Sequence, residues 1–313
     1  MNSTEAQDIV CGCSGLADLQ AVVDLLDRTF ERTPREYFER HVLRDPTLRP
    51  DDTRILIHNG VIVSSVQIFP RIMTIAGEHM AFGGIGNVGT DPRERRKGLA
   101  AIVMEDAIRA MRERDYQFSV LNTTINPYYE RFGYRTVVRK VAVVSHIPGA
   151  MEVGVRPFQQ LGDLQRVKEL YRVYNDGDVG PVVRDDVYWD GQIAFSGEDL
   201  DKFLVLERDG TIVGYIRAGM YKGQLEILEH AAEGDIAAIF ATLLRAVSSL
   251  APGIPIKMFL PECERERLRL TLQYTILDDT DLMILPLSER FHAGAEDLVM
   301  RRNAMKYWRS DFF

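Results

Sequence analysis

Several features are rare or absent in this chain of 313 residues, and their absence excludes classes of protein. It has only three cysteines, Cys11, Cys13 and Cys263, too few for a disulfide framework or a four-cysteine zinc site, so we expect free thiols and no metal. No apolar run approaches the length of about 18 residues that a membrane helix needs. The polar N-terminus does not have the pattern of a signal peptide. These absences favour a cytoplasmic protein with no membrane partner.

Positive charge is also in short supply. Lys and Arg number 38 against 46 Asp and Glu, for a net charge of -8 and a pI near 5.4. This balance argues against a general nucleic-acid binder, and it weakly favours a cationic acceptor. The length, with 46% hydrophobic residues, predicts two domains, each with its own core.

The positive charge that is present is concentrated in one turn. A helical pattern follows this turn from Leu99 to Arg114, with apolar residues at three- and four-residue intervals and Asp106 among the residues of the polar face. The first turn of such a helix offers unpaired N–H groups and the positive end of the helix dipole. Small residues beside it leave room for an anion. We therefore predict a pyrophosphate site formed by Arg95, Arg96, Lys97, Gly98, Leu99 and Ala100.

Taken alone, this turn leaves an alternative open. It carries neither the Walker glycine-lysine pattern nor a dinucleotide-binding glycine triplet, so an ordinary basic surface turn competes with the anion site. The next apolar run, 117–121, predicts a buried strand. Strand, helix and strand would then form a right-handed crossover between parallel neighbours, which favours the anion site.

Two motifs at this separation carry a family resemblance. Residues 95–100 match the pattern Arg/Gln-x-x-Gly-x-Gly/Ala, and residues 129–134 are similar to Tyr-Glu-Lys-x-Gly-Phe. On these motifs the chain resembles the GNAT superfamily of acyl-coenzyme A dependent N-acyltransferases, over about residues 50–140. The resemblance implies acetyl-CoA as co-substrate and two strands that splay around its pantetheine arm. It further implies that Asn122 and the backbone of Val88 and Thr90 contact that arm or the thioester carbonyl. Tyr129 would be the acid that protonates the leaving thiolate, with a core tyrosine as the alternative.

The two halves of the chain follow one pattern. Hairpin turns at Asn59-Gly60 and Asp209-Gly210 stand at corresponding places, each after a helix. The second half has an acidic stretch, 229–235, where the first half has its basic turn. We predict an α/β fold with mixed sheets, in which residues 1–148 form a catalytic GNAT domain. Residues 149–313 would form a degenerate GNAT-like domain with a C-terminal tail, joined to the first through 147–157. The order resembles the N-terminal two-thirds of enhanced-intracellular-survival type acetyltransferases.

The base and the acceptor stay open. Candidate bases are Glu36, Glu78, His79 and acids of the tail, either Asp311 or the terminal carboxylate, and each of them is also compatible with an ordinary surface role. The segment 30–49 would line the acceptor cleft, or would form a helix with solvated charges.

The function predicted is acetyl transfer from acetyl-CoA to an amine of a small molecule or a protein. The alternative is a non-catalytic acyl-CoA binding or sensory module. A nucleotide-binding or phosphotransfer protein ranks last because the Walker lysine is missing. A homo-oligomer stays possible.

Overall fold

The computed structural model describes residues 9–145, 147, 152–195, 200–270 and 272–312. These residues form two seven-stranded sheets with helices packed on them. The strands are β1 Ile9–Cys13, β2 Thr53–His58, β3 Val61–Ile75, β4 Glu78–Thr90, β5 Phe118–Asn122, β6 Arg135–Thr136, β7 Arg139–Val144, β8 Val155–Pro157, β9 Phe203–Arg208, β10 Thr211–Tyr221, β11 Gln224–Ala232, β12 Ile256–Phe259, β13 Thr275–Asp279 and β14 Leu282–Pro286.

The helices are α1 Leu19–Thr29, α2 Arg35–Glu39, α3 Leu99–Glu113, α4 Asn126–Glu130, α5 Gln160–Tyr174, α6 Asp186–Phe195, α7 Ile236–Leu250, α8 Glu262–Leu268, α9 Glu289–Gly294 and α10 Glu296–Met300. A π-helical turn, Arg40–Arg44, continues α2. None of the helices in the described residues combines the length and apolarity needed to cross a membrane.

The two sheets repeat one arrangement of strands. The first has the order β1-β2-β3-β4-β5-β14-β6 and the second has β8-β9-β10-β11-β12-β7-β13. In each sheet the fourth and fifth strands pair in parallel and the other neighbours pair antiparallel. The predicted hairpins at Asn59-Gly60 and Asp209-Gly210 are confirmed, and all four turn residues have positive φ. The tandem α/β architecture is therefore present.

The last strands are exchanged between the two sheets. β14, from the second half of the chain, is the sixth strand of the first sheet, whereas β7, from the first half, is the sixth strand of the second. The domain boundary predicted between residues 148 and 149 stays a prediction. Each exchanged strand comes from one side of this boundary and pairs in the sheet formed mostly by the other side. Part of the predicted linker, 148–151, lies outside the described residues. Because a cut there would remove one strand from each sheet, the two halves depend on one another for their hydrogen bonding.

Helix α3 covers one face of the first sheet, as its apolar spacing predicts. Its buried side packs on Val66, Ile68 and Ile85 of the sheet, and α1 packs against the opposite face. One expectation is wrong: Asp106 is buried, not solvated, because its carboxylate lies 2.5 Å from Arg54 of β2. A buried carboxylate is tolerated where a cation neutralises it. The helical periodicity of apolar residues does not show that Arg54, from a distant strand, supplies this cation.

Candidate acyl-coenzyme A site

A pocket of about 330 Å³ opens at the N-terminus of α3. It is lined by Thr90, Glu94, Arg95, Arg96, Gly98, Leu99, Ala100, Ala101, Tyr128 and Arg131. Six residues singled out from the sequence therefore meet here. Lys97 does not line the pocket, and its ammonium pairs with Glu94 at 2.8 Å. The sequence did not point to Tyr128 and Arg131 as pocket residues, although Arg131 belongs to the second motif and Tyr128 directly precedes it.

The backbone of the turn is shaped for close approach. Gly98 is left-handed, with φ 81 and ψ 0, and an added Cβ would meet nothing within 4 Å. At this end of the helix, the N–H of Ala101 donates to the carbonyl of Gly98 at 3.0 Å. The N–H groups of Leu99 and Ala100 come earlier and have no preceding carbonyl within the helix to bond. They therefore face the pocket as donors for an anion.

The charges around the pocket leave two cations available. Arg95 donates to the carbonyls of Thr90 and Thr29, at 3.4 and 3.2 Å, which holds its side chain across the turn. Within the described part of the chain, no carboxylate pairs with Arg96 or Arg131. The Arg131 guanidinium instead lies 5.3 Å from the ring of Tyr128. An unpaired guanidinium beside unpaired N–H groups suits a phosphate.

The parallel pair β4 and β5 ends just before this pocket. The pairing stops at Ile85 and Leu121, while β4 continues along β3 to Thr90. Asn87 has a φ of 49 where β4 shifts register, which turns the end of β4 away from its former neighbour. No further pairing joins β4 to β5 among the described residues. The predicted splay is therefore present, and Val88 and Thr90 lie half-buried on its β4 side.

Asn122 ends β5 on the other side of the splay. Both of its amide atoms are buried, and neither has a hydrogen-bond partner among the described residues. A buried amide without a partner costs stability, so such groups are rare unless something binds them. The strand beside Asn122 is β14, which comes from the second half of the chain. An amide-rich arm such as pantetheine therefore fits this position.

Tyr129 lies in α4 and is 8% exposed. Its ring packs edge-on against Tyr128 and Tyr134, at centroid distances of 5.0 and 6.2 Å. Burial, and secondarily Tyr128, raises the pKa of Tyr129 to about 12. The hydroxyl therefore keeps its proton throughout the neutral range. The neighbouring hydroxyl of Tyr128 is buried and, like the amide of Asn122, has no hydrogen-bond partner within the described residues.

The candidate bases are engaged elsewhere or exposed. Glu36 pairs with Arg40 at 2.8 Å and Glu78 with Arg290 at 3.1 Å, both at the surface, and His79 is exposed. Asp311 is buried and is bound by Arg184 at 3.0 Å. The terminal residue, 313, lies outside the described residues.

A second pocket lies between the two halves. The first half contributes His41, Asp45, Thr47, Phe69 and Arg71, and the second contributes Tyr188, Gly191, Gln192 and Phe312. The expected acceptor segment, 30–49, therefore does line a cleft. Two acids of this segment are neutralised by ion pairs: Asp45 lies 3.3 Å from Arg71, and Glu39 lies 3.0 Å from Arg35.

The second copy closes the place that corresponds to the anion pocket. Asp235 precedes α7, and its carboxylate accepts a hydrogen bond from the N–H of Ala238 at 3.1 Å. Glu233 of the same turn pairs with Arg166. The N-terminus of α7 thus binds a carboxylate of the chain itself, which explains physically why this copy is degenerate as an anion site.

Comparisons with known proteins agree with this geometry. Residues 15–137 match the model of a family described as acetyltransferase (GNAT) domain. An uncharacterized N-acetyltransferase of Streptomyces avermitilis is 27% identical over 179 residues, which are 52% of this chain and 42% of that protein. The match thus spans less than half the length of that relative.

Solved structures show the same fold. A probable N-acyltransferase of Enterococcus faecalis superposes with a TM-score of 0.71 at 16% identity, covering 90% of this chain and 74% of that one. A GCN5-related N-acetyltransferase of Kribbella flavida gives 0.69 at 17% identity, with 90% and 72% covered. Eis1 of Mycobacterium abscessus gives 0.64 at 14%, with 90% and 74% covered.

Proposed function

We propose that this chain transfers an acetyl group from acetyl-CoA to an amine, since residues 15–137 match the model of the acetyltransferase (GNAT) domain family. The observation that carries the proposal is the set of features at the end of β4. Its last residue, Thr90, lines the pocket together with the α3 turn, where Arg96 has no carboxylate partner among the described residues. The pairing of β4 with β5 stops one residue before Asn122, whose amide has no hydrogen-bond partner in that part of the chain.

In this proposal the turn binds the pyrophosphate. The N–H groups of Leu99 and Ala100, with Arg95 and Arg96, hold the two phosphates, and Arg131, directly after α4, adds a cation. Asn122 pairs with an amide of the pantetheine arm, and backbone groups of Val88 and Thr90 hold the arm on the β4 side. Acetyl-CoA supplies the thioester on which the amine acts.

Tyr129 is the proposed donor to the leaving sulfur. Its pKa of about 12 exceeds that of a thiol in water, about 8.5, by a difference equivalent to about 5 kcal/mol. Full transfer of the proton to a solvated thiolate is therefore strongly uphill. The same burial that raises the pKa of Tyr129 would also raise that of a thiol beside it, so the transfer becomes feasible only when both groups are shielded from water.

The acceptor would approach from the side of the pocket between the halves, whose free volume of about 20 Å³ is close to that of one water molecule and would have to widen to admit an amine. Phe69 of β3 pairs with Gly84 of β4, and Val88 lies four residues further along β4. At about 3.3 Å per residue the two positions are about 13 Å apart, so only an amine carried on a long, extended chain would reach from one to the other. The acceptor is a small molecule or a protein amine, and its deprotonation would proceed through water.

One observation favours the alternative, an acyl-CoA binding or sensory module. The described candidate bases Glu36, Glu78 and Asp311 are bound to arginines. A panel of amines with acetyl-CoA, read by thiol release, separates the two functions. An enzyme releases thiol with at least one amine, whereas a binding module shows an acetyl-CoA dependent rise in melting temperature without amine-dependent release. Absence of any melting shift with acetyl-CoA or longer acyl thioesters would refute both.

A further inference from the structure

The C-terminal tail, residues 308–312, lies against the second sheet. Arg309 pairs with Glu226 of β11 at 3.0 Å, and the hydroxyl of Ser310 donates to Glu229 of the same strand. The ring of Phe312 is 5.9 Å from that of Phe259, the last residue of β12. The tail is thus bound by β11 on one side and by the end of β12 on the other.

This location is the splay of the second copy. The parallel pairing of β11 with β12 ends at Ile227 and Met258, as that of β4 with β5 ends at Ile85 and Leu121. β11 then shifts register against β10 before Glu229. The tail therefore lies, through side-chain contacts, beside the place in the second copy that corresponds to the start of the splay in the first.

Buried charges hold the tail there. The side chain of Arg184 is fully buried and reaches Glu229 at 2.5 Å, Asp311 at 3.0 Å and the hydroxyl of Ser310 at 2.9 Å. Tyr188 donates a further hydrogen bond to Asp311 at 2.8 Å. Removing the central cation would leave two carboxylates buried without their main partner, a state that a protein relieves by exposing one of them.

The start of the tail has its own anchor. The ammonium of Lys306 is buried 3.0 Å from Asp178 and 2.7 Å from Glu264. These two carboxylates and Cys263 stand close enough together to suggest a metal site, but the lysine is bound to both of them. Beyond this anchor, Trp308 donates to Asn175 at 3.0 Å and Arg309 pairs with Glu226, so the Arg184 network holds mainly Ser310 and Asp311.

The end of the tail reaches the pocket between the halves. Phe312 lines that pocket together with His41 and Phe69 of the first half. Tyr188 and Gln192 line it too, and both bind the tail, since the amide of Gln192 donates to the carbonyl of Ser310 at 2.7 Å. The network in the second copy is therefore connected to the proposed acceptor pocket through one short segment.

We propose that the splay of the second copy is a binding site for the chain's own C-terminal tail, and that Arg184 is a positioning residue that sets the wall of the acceptor pocket through this tail. The inference rests on the proposed function, because it assigns the pocket to the acceptor. It gives the degenerate copy a role: the copy fixes which amine fits, while the first copy binds acetyl-CoA.

The test combines tail protection with steady-state kinetics. In Arg184→Met, amide hydrogen exchange of residues 307–312 should accelerate, the acceptor KM should rise about tenfold, and the acetyl-CoA KM should stay within about twofold. Phe312→Ala removes the wall without touching the buried charges. It should raise the acceptor KM similarly and widen the range of amines accepted, even if the arginine variant fails to fold.

The matched control is Arg54→Met, which breaks another buried ion pair, at 2.5 Å from Asp106, remote from the tail. It should lower the melting temperature and leave the acceptor KM unchanged. A tail that stays protected in Arg184→Met, or an acceptor KM unchanged in both Arg184→Met and Phe312→Ala, would overturn the inference. Failure of the proposed function shows differently, as wild-type protein that releases no thiol with any amine.

Discussion

Replacing Gly98 by aspartate tests the anion site most directly. Nothing lies within 4 Å of a Cβ at this position, so a new side chain extends into the pocket without a clash. The φ of 81 is unfavourable for residues with a Cβ, and costs about 1–2 kcal/mol of folding free energy. Asparagine and aspartate tolerate this conformation best and have almost the same shape. Gly98→Asn is therefore the matched control, and differs from Gly98→Asp essentially by one charge.

The size of the effect follows from Coulomb's law. A carboxylate about 5 Å from a phosphate, at an effective dielectric constant of about 20, is repelled by about 3 kcal/mol. This energy corresponds to a dissociation constant about a hundredfold higher for Gly98→Asp than for Gly98→Asn. The second copy shows the natural counterpart, since the carboxylate of Asp235 binds the N-terminus of α7.

The assay is calorimetric titration of each variant with acetyl-CoA, with melting temperatures measured without ligand. We expect similar melting temperatures for the two variants, and a difference in affinity that shrinks as salt is raised, because screening weakens the repulsion. Equal dissociation constants for Gly98→Asp and Gly98→Asn would show that no phosphate approaches this turn, and would refute the assignment of the pocket.

Three further predictions concern single side chains. Tyr129→Phe should leave the acetyl-CoA affinity unchanged and lower kcat about a hundredfold. Because the pKa of Tyr129 is about 12, wild-type activity should show no loss from its ionisation below about pH 11, and equal losses of binding and turnover would make the residue structural. Asn122→Leu should keep or raise the melting temperature, since its amide has no partner to lose among the described residues, while acetyl-CoA binding weakens about tenfold in titration. Burial opposes ionisation of Glu229, but Arg184 and Arg217 outweigh it and lower its pKa to about 2 from the usual 4.5. The stability it contributes is therefore present above about pH 4.5 and lost as the pH falls toward 2, so melting temperatures of the wild type should drop in that interval, and those of Glu229→Gln should drop less.

Local features were predictable because their causes lie within a few residues. The helix expected over Leu99–Arg114 is present as Leu99–Glu113, and the strand expected over 117–121 is present as Phe118–Asn122. Each of these features is determined by residues that are close together in the sequence. This holds for the helical periodicity, the turn dipeptides and the glycine of the basic turn. The pocket residues of the turn followed from the same local pattern, except for Lys97, whose ammonium pairs with Glu94.

Pairings between distant residues needed the tertiary structure. The apolar pattern of β14 fits any sheet edge, so its place beside Asn122 of β5 is decided by the whole arrangement of strands. Arg131 joins the pocket only because α4 packs beside the α3 turn.

The sequence by itself determined the basic turn that we propose as an anion site, the crossover around it and the acidic replacement in the second half, because unpaired helical N–H groups and charge at a helix end are local properties. Tertiary structure alone decided the exchange of the last strands, the burial of Asp311 beside Arg184 and the position of the tail. A buried charge is stable only where a distant partner neutralises it, and no spacing along the chain encodes that partner.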